Sequence, residues 1–182
     1  MTSLLRRVRA LLTGERELPD DFGGVLGDEE RVLATATGAE GPLVATNLGL
    51  WVPDESGARR VGWHLLSKVR WQDGLLGLVE AEEWWWVEGA VLLRDRPRRD
   101  YRLDAAGKLP DVVHSRVTRS IRSTQHRELP SVGGARFVRR RIPGRDGTVL
   151  QVRADAGTDE AALAEYTREV ARRLERATET GE

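Results

Sequence analysis

Residues 29–79 read EERVLATATGAEGPLVATNLGLWVPDESGARRVGWHLLSKVRWQDGLLGLV, and their alternation decides the expected fold class. Within 31–37, Val32, Ala34 and Ala36 share one face and Leu33, Thr35 and Thr37 the other, which is the two-residue period of a strand. Residues 38–42 make a turn. Residues 43–52 read as a second strand, with Pro53-Asp54-Glu55-Ser56-Gly57 as a hairpin loop. A third strand spans 59–63. His64-Leu65-Leu66-Ser67-Lys68 reads as a helical-turn step, and the strand resumes over 69–72 up to the tight-turn pair Asp73-Gly74. Short strands joined by tight turns imply an antiparallel sheet.

Outward from this stretch, strands are expected at 75–81, 84–93 and 101–103. The period then changes. Pro110-Asp111 is a helix start with Asp111 as N-cap, and Val113, Val117, Ile121 and Thr124 recur at helical spacing. That helix is expected to run to about residue 128, ahead of Leu129-Pro130. A hairpin follows, 135–142 and 148–154, around Pro143-Gly144-Arg145-Asp146-Gly147. A last helix is expected to be capped by Thr158 and striped by Ala162, Tyr166, Val170 and Leu174. Upstream, Leu4, Leu5, Val8, Leu11 and Leu12 give residues 1–14 an amphipathic helix with Arg6 and Arg9 opposite. Residues 15–28 are acidic and Gly-rich and read as a linker.

The chain has 182 residues, 40% hydrophobic and 32% charged, so it can build a core. With no cysteine, disulfides and thiolate-bound zinc are excluded. This composition fits a reducing cytosol, and the expected location is cytoplasmic, peripheral to a membrane if the N-terminal helix lies on one. The net charge of zero hides a segregation: 9 basic against 15 acidic residues over 1–93, 16 against 6 over 94–153, and 4 against 8 over 154–182. A basic middle between acidic ends points to an anionic partner.

Ala45, Thr46, Gly49 and Leu50, then Trp63, Leu66, Val69 and Trp71, form a pattern that resembles the bacterial pleckstrin-homology-like (PH-like) domains, best over residues 29–93. The resemblance implies an α+β fold: an antiparallel PH-like β-roll or barrel over 29–129 capped by the 110–129 helix, with a basic hairpin and C-terminal helix over 130–178. It also implies a binding module without catalysis. The first hairpin loop, Gly38-Ala39-Glu40-Gly41, lacks the basic cluster of phosphoinositide-binding PH domains.

The candidate contact residues follow from charge and aromatic content. Arg116, Arg119, His126 and Arg127 are expected on the helix face opposite Val113 and Val117. Arg136, Arg139, Arg140, Arg141 and Arg145 cluster in the hairpin. Trp84-Trp85-Trp86 in a strand must alternate faces, which makes Trp85 a candidate anchor, while Trp51, Trp63 and Trp71 are expected in the core. His114 and His126 stand twelve apart and lack the four-residue spacing of a helical metal pair. No metal, cofactor or catalytic set is therefore expected. The expected function is a non-catalytic adaptor for a protein partner; the alternatives are anionic lipid and nucleic acid. The basic segment could instead meet the chain's own Glu82, Glu83 and Glu88.

Overall fold

The computed structural model describes residues 18–87 and 89–179. The expected N-terminal helix, residues 15–17 of the linker and Glu88 lie outside the described residues. In chain order the elements are β1 (Val32–Gly38), β2 (Gly41–Thr46), β3 (Gly49–Asp54), β4 (Gly57–Gly62), a 3-10 turn (Trp63–Leu65), β5 (Leu66–Gln72), β6 (Leu75–Val87), β7 (Ala90–Asp95), β8 (Arg99–Ala105), α1 (Leu109–Ser120), β9 (Ile121–Leu129), β10 (Gly133–Arg140), β11 (Val149–Ala154) and α2 (Glu160–Glu179). They divide into two compact units, the first comprising residues up to 80 with Pro97–Thr118, the second Ala81–Arg96 with residues from 119 onward.

The hydrogen-bonded strand order is β4-β3-β2-β1-β8-β6-β7-β11-β10-β9, with β5 on β6. This overturns the expected PH-like roll. Ten strands follow this path and β5 joins it at β6, and β7 pairs with β11 in parallel, so the sheet is mixed. The local alternation that suggested an antiparallel sheet is real, but it does not encode which distant strand each one pairs with.

In the first unit all ladders are antiparallel. Leu43, Leu50, Trp63, Leu66, Leu76, Leu78 and Tyr101 form its core, and α1 adds Leu109, Val113 and Val117. Full burial of each large side chain contributes about 1.5–3 kcal/mol. The expected single strand over 43–52 is two strands. Thr46 Oγ1 accepts from the N–H groups of Leu48 (3.2 Å) and Gly49 (3.1 Å), and Asn47 Oδ1 accepts from Arg31 N–H (2.7 Å). These side-chain bonds compete with a continuing ladder and turn the chain back. Gly49 suits the turn because a Cβ there would lie 2.4 Å from the Val61 carbonyl oxygen.

Glu30 is buried beside this turn. It accepts hydrogen bonds from Thr46 Oγ1 (2.6 Å), Trp51 Nε1 (2.9 Å), Arg60 Nη1 (2.7 Å) and the Gly27 N–H (3.3 Å). Burial alone would raise its pKa. The bonds from Thr46, Trp51 and Gly27 and the charge of Arg60 outweigh burial and hold it below the ordinary value. Phe22, in the expected linker, meets Trp51 edge to face at 5.5 Å, so this segment packs on the first unit. Trp63 is buried as expected, but Trp71 is 43% exposed near the end of β5, where most residues are exposed.

In the second unit the order is β6-β7-β11-β10-β9. Helix α1 ends at Ser120, and residues 121–129, expected as its continuation, form β9. Ile121 and Thr124 fit a helical stripe, but Ile121, Ser123, Gln125 and Arg127 equally fit alternation; the ladder to β10 decides between them. The expected hairpin is present as β10 and β11. Helix α2 starts one residue later than Thr158 predicts. Asp159 Oδ1 caps the N–H groups of Ala161 and Ala162 at 3.0 Å, while Thr158 Oγ1 donates to the Gly134 carbonyl (2.6 Å). Leu163, Ala164 and Ala171 pack on Ala90, Leu92, Phe137, Leu150 and Val152 to form the second core.

Candidate functional site

Strand β9 ends the strand order of the second unit. Its sequence, IRSTQHREL, places eight exposed residues before the buried Leu129. One edge pairs with β10 from Leu129 back to Ile121; among the described residues no strand pairs with the other edge. The β10 register sets Ser123 opposite Arg139, Gln125 opposite Phe137 and Arg127 opposite Ala135. On β11, Leu150 faces Arg139 and Val152 faces Phe137. Alternation therefore gathers Ser123, Gln125, Arg127, Phe137, Arg139 and Leu150 on the face that carries α2.

Between this face and α2 lies a groove of about 270 Å³, closed on the helix side by Tyr166 and Val170. Its floor is apolar: Phe137 meets Tyr166 edge to face at 6.0 Å, with Leu150 and Val170 beside them. Its rim is polar. Arg127 Nη2 donates to Gln125 Oε1 (2.9 Å), and Arg139 Nη2 to Thr148 Oγ1 (3.0 Å). Neither arginine pairs with a carboxylate among the described residues. Other arginines of the unit are engaged: Arg94 with Glu160, Arg96 with Glu82, Arg153 with Asp95 and Arg168 with Glu165. Arg127 and Arg139 thus offer uncompensated charge at an apolar groove, an arrangement suited to carboxylates on an otherwise apolar ligand.

The predicted contact residues are dispersed. Arg127 and Arg139 line the groove, while Arg136 is exposed opposite His126, on the other face of the sheet. Arg140, next in sequence to Arg139, is only 3% exposed, because β10 is flanked by β9 and β11 and its other face is buried there. Burial, then the neighbouring charge of Arg153, push its pKa down to about 10, so it stays cationic at neutral pH without presenting that charge outward. Arg141 is exposed and its N–H donates to the Ser120 carbonyl (2.8 Å). Arg119 is exposed at the end of α1, and Arg116 is half-buried on α1 in the first unit. Arg127 and His126 belong to β9, not to the expected helix.

The tryptophan triplet does not alternate simply. A bulge between Glu83 and Trp85 interrupts the β6–β7 register, and Trp84 turns onto the second core with Arg94 4.3 Å over its ring. Trp85 (43%) and Trp86 (53%) are both exposed. Sequence reading missed Trp86 and the groove residues Ser123, Gln125, Phe137, Leu150, Tyr166 and Val170. The signal available was the alternation of Ser123, Gln125 and Arg127, which helical spacing masked.

The chain has no match among protein-family models, curated proteins or solved structures. Among the described residues no helix is long and apolar enough to cross a membrane.

Proposed function

We propose that the second unit is a non-catalytic binding module that takes an extended, acid-rich segment of a protein partner along β9. The observation that carries this reading is the half-paired, exposed strand β9 beside a groove rimmed by Arg127 and Arg139. A strand paired on one edge leaves backbone N–H and C=O groups available along the other, and strand addition uses them for affinity while side-chain pockets select the sequence. Charge selects the occupant. Arg122 and Arg127 give two copies of β9 like charge, which disfavours self-pairing and favours carboxylates. Arg127 lies four residues from Ser123, the partner of Arg139, which is roughly 13 Å along a strand. The matching segment carries acids at i and i+4 with an apolar residue at i+2, beside Gln125 at the mouth of the groove. Nucleic acid fits this surface less well, since stacking needs exposed rings and the two rings lining the groove are buried (Phe137) or half-buried (Tyr166).

The test is fluorescence anisotropy with a labelled strand-forming peptide of that pattern. Its lysine counterpart, a single-stranded oligonucleotide and phosphatidylserine vesicles serve as competitors. The acidic peptide should bind, and Arg127→Glu with Arg139→Glu should weaken it at least about tenfold. Equal binding of acidic and basic peptides, or tighter binding of the oligonucleotide or vesicles, overturns the reading.

A further inference from the structure

On the opposite face of the same sheet, at the far end of β9, three metal-ligating side chains converge. His126 and Glu128 are two residues apart on β9 and so project to one side. Asp155 follows the end of β11, with its N–H donating to the Gly134 carbonyl (2.9 Å). His126 Nε2 lies 2.5 Å from Asp155 Oδ2 and 3.9 Å from Glu128 Oε1, and all three ligand atoms fall within 4.8 Å of one another.

The convergence depends on Gly134. It stands on β10 between the two outer contributors, directly opposite Glu128 in register. A Cβ there would sit 2.1 Å from Asp155 Oδ2 and 3.0 Å from Glu128 Oε1. Gly134 is not at a positive φ, so backbone conformation does not call for glycine; the space above it does. The missing side chain leaves a cradle into which an imidazole and a carboxylate reach from β9 and a second carboxylate from the end of β11.

We infer that His126, Glu128 and Asp155 bind one divalent transition-metal ion of the zinc class, a site that goes beyond the groove and does not depend on it. An imidazole nitrogen with two carboxylate oxygens is a donor set for zinc rather than for magnesium or calcium, which prefer all-oxygen shells. Three protein ligands leave a fourth position to solvent on this exposed surface. Zinc–nitrogen and zinc–oxygen bonds are about 2.0–2.2 Å, so the ion enters between His126 and Asp155 and replaces their hydrogen bond. That bond holds the two groups in place before the ion arrives. Arg136, across from His126, opposes the cation and keeps the affinity moderate. The bound ion would tie β9 to the end of β11 across β10, which is a structural role.

Calorimetric titration of tag-free, full-length protein with zinc chloride tests this, with magnesium chloride alongside. Zinc should bind with one-to-one stoichiometry and micromolar affinity and should raise Tm; magnesium should do neither. His126→Ala should weaken zinc at least tenfold. Asp155→Asn keeps a hydrogen-bonding partner for His126, so the fold is retained while a ligand is lost, and it should weaken zinc to a similar degree. Gly134→Ala, which fills the cradle, should also weaken it. His114→Ala, on α1, should leave zinc affinity unchanged. Failure of the wild type to bind zinc, retention of affinity in His126→Ala and Asp155→Asn, or its loss in His114→Ala overturns the inference.

Discussion

Replacing Glu30 with glutamine tests the polar knot of the first unit. The carboxylate receives bonds from Thr46, Trp51, Arg60 and Gly27. A hydrogen bond to a charged group contributes about 1.5–3 kcal/mol against about 0.5–1.5 for a neutral one, so loss of charge weakens the Thr46 and Trp51 bonds by about 1 kcal/mol each. The Arg60 side chain is 39% exposed, and solvent screening limits its share to about 0.5 kcal/mol. Relief of the buried charge returns about 1 kcal/mol. The net loss is about 1.5 kcal/mol, or about 3–6 °C in Tm for a chain of this length. Urea unfolding followed by tryptophan fluorescence from pH 7 to pH 3 is the assay. Because the folded-state pKa of Glu30 is depressed, its contribution is complete above the unfolded value near 4.5 and is lost as pH falls through the folded value. The gap between wild type and Glu30→Gln should therefore narrow towards pH 3. A gap that stays constant over this range, or none at pH 7, refutes the reasoning.

Asp159→Ala removes the α2 cap and should cost about 1 kcal/mol, seen as a lower urea midpoint with unchanged slope. Arg140→Glu should destabilise by about 3 kcal/mol or more because it puts an acid in a buried site built around a guanidinium, whereas Arg139→Glu, on the groove rim, should stay within about 0.5 kcal/mol of wild type in the same denaturation. Gly49→Ala drives a methyl group against the Val61 carbonyl and should cost about 1–3 kcal/mol, with faster hydrogen exchange along β3 and β4.

The groove and the metal cradle use opposite faces of one strand pair, and both follow from the β9–β10 register. Ser123, Gln125 and Arg127 point to the groove; His126 and Glu128 point to the cradle. A one-residue slip of β9 would exchange these sets, so both proposals rest on the bonds that fix the register, including the Ser120 carbonyl to Arg141 at one end and the Leu129–Val132 turn at the other.

Local chemistry was legible in the sequence. The alternation of 31–37, the Asp73-Gly74 turn, the hairpin of 135–154 and the burial of Trp63 and Val113 follow from side-chain pattern and backbone preference, which act between near neighbours. The tertiary structure decided what depends on distant partners. Residues 121–129 carry apolar and polar side chains compatible with either period, and only pairing with β10 makes them a strand. Arg139 and Arg140 are adjacent and chemically identical, yet one rims a groove and the other is buried, because a central strand sends neighbours to opposite faces. His126, Glu128 and Asp155 gave no helical metal spacing, since two of the ligands sit at strand spacing and the third arrives through a register 29 residues away. The parallel β7–β11 ladder that rules out an antiparallel roll likewise joins segments whose meeting no local pattern encodes: short-range preference selects the elements, and the burial of each face against a remote partner selects their arrangement.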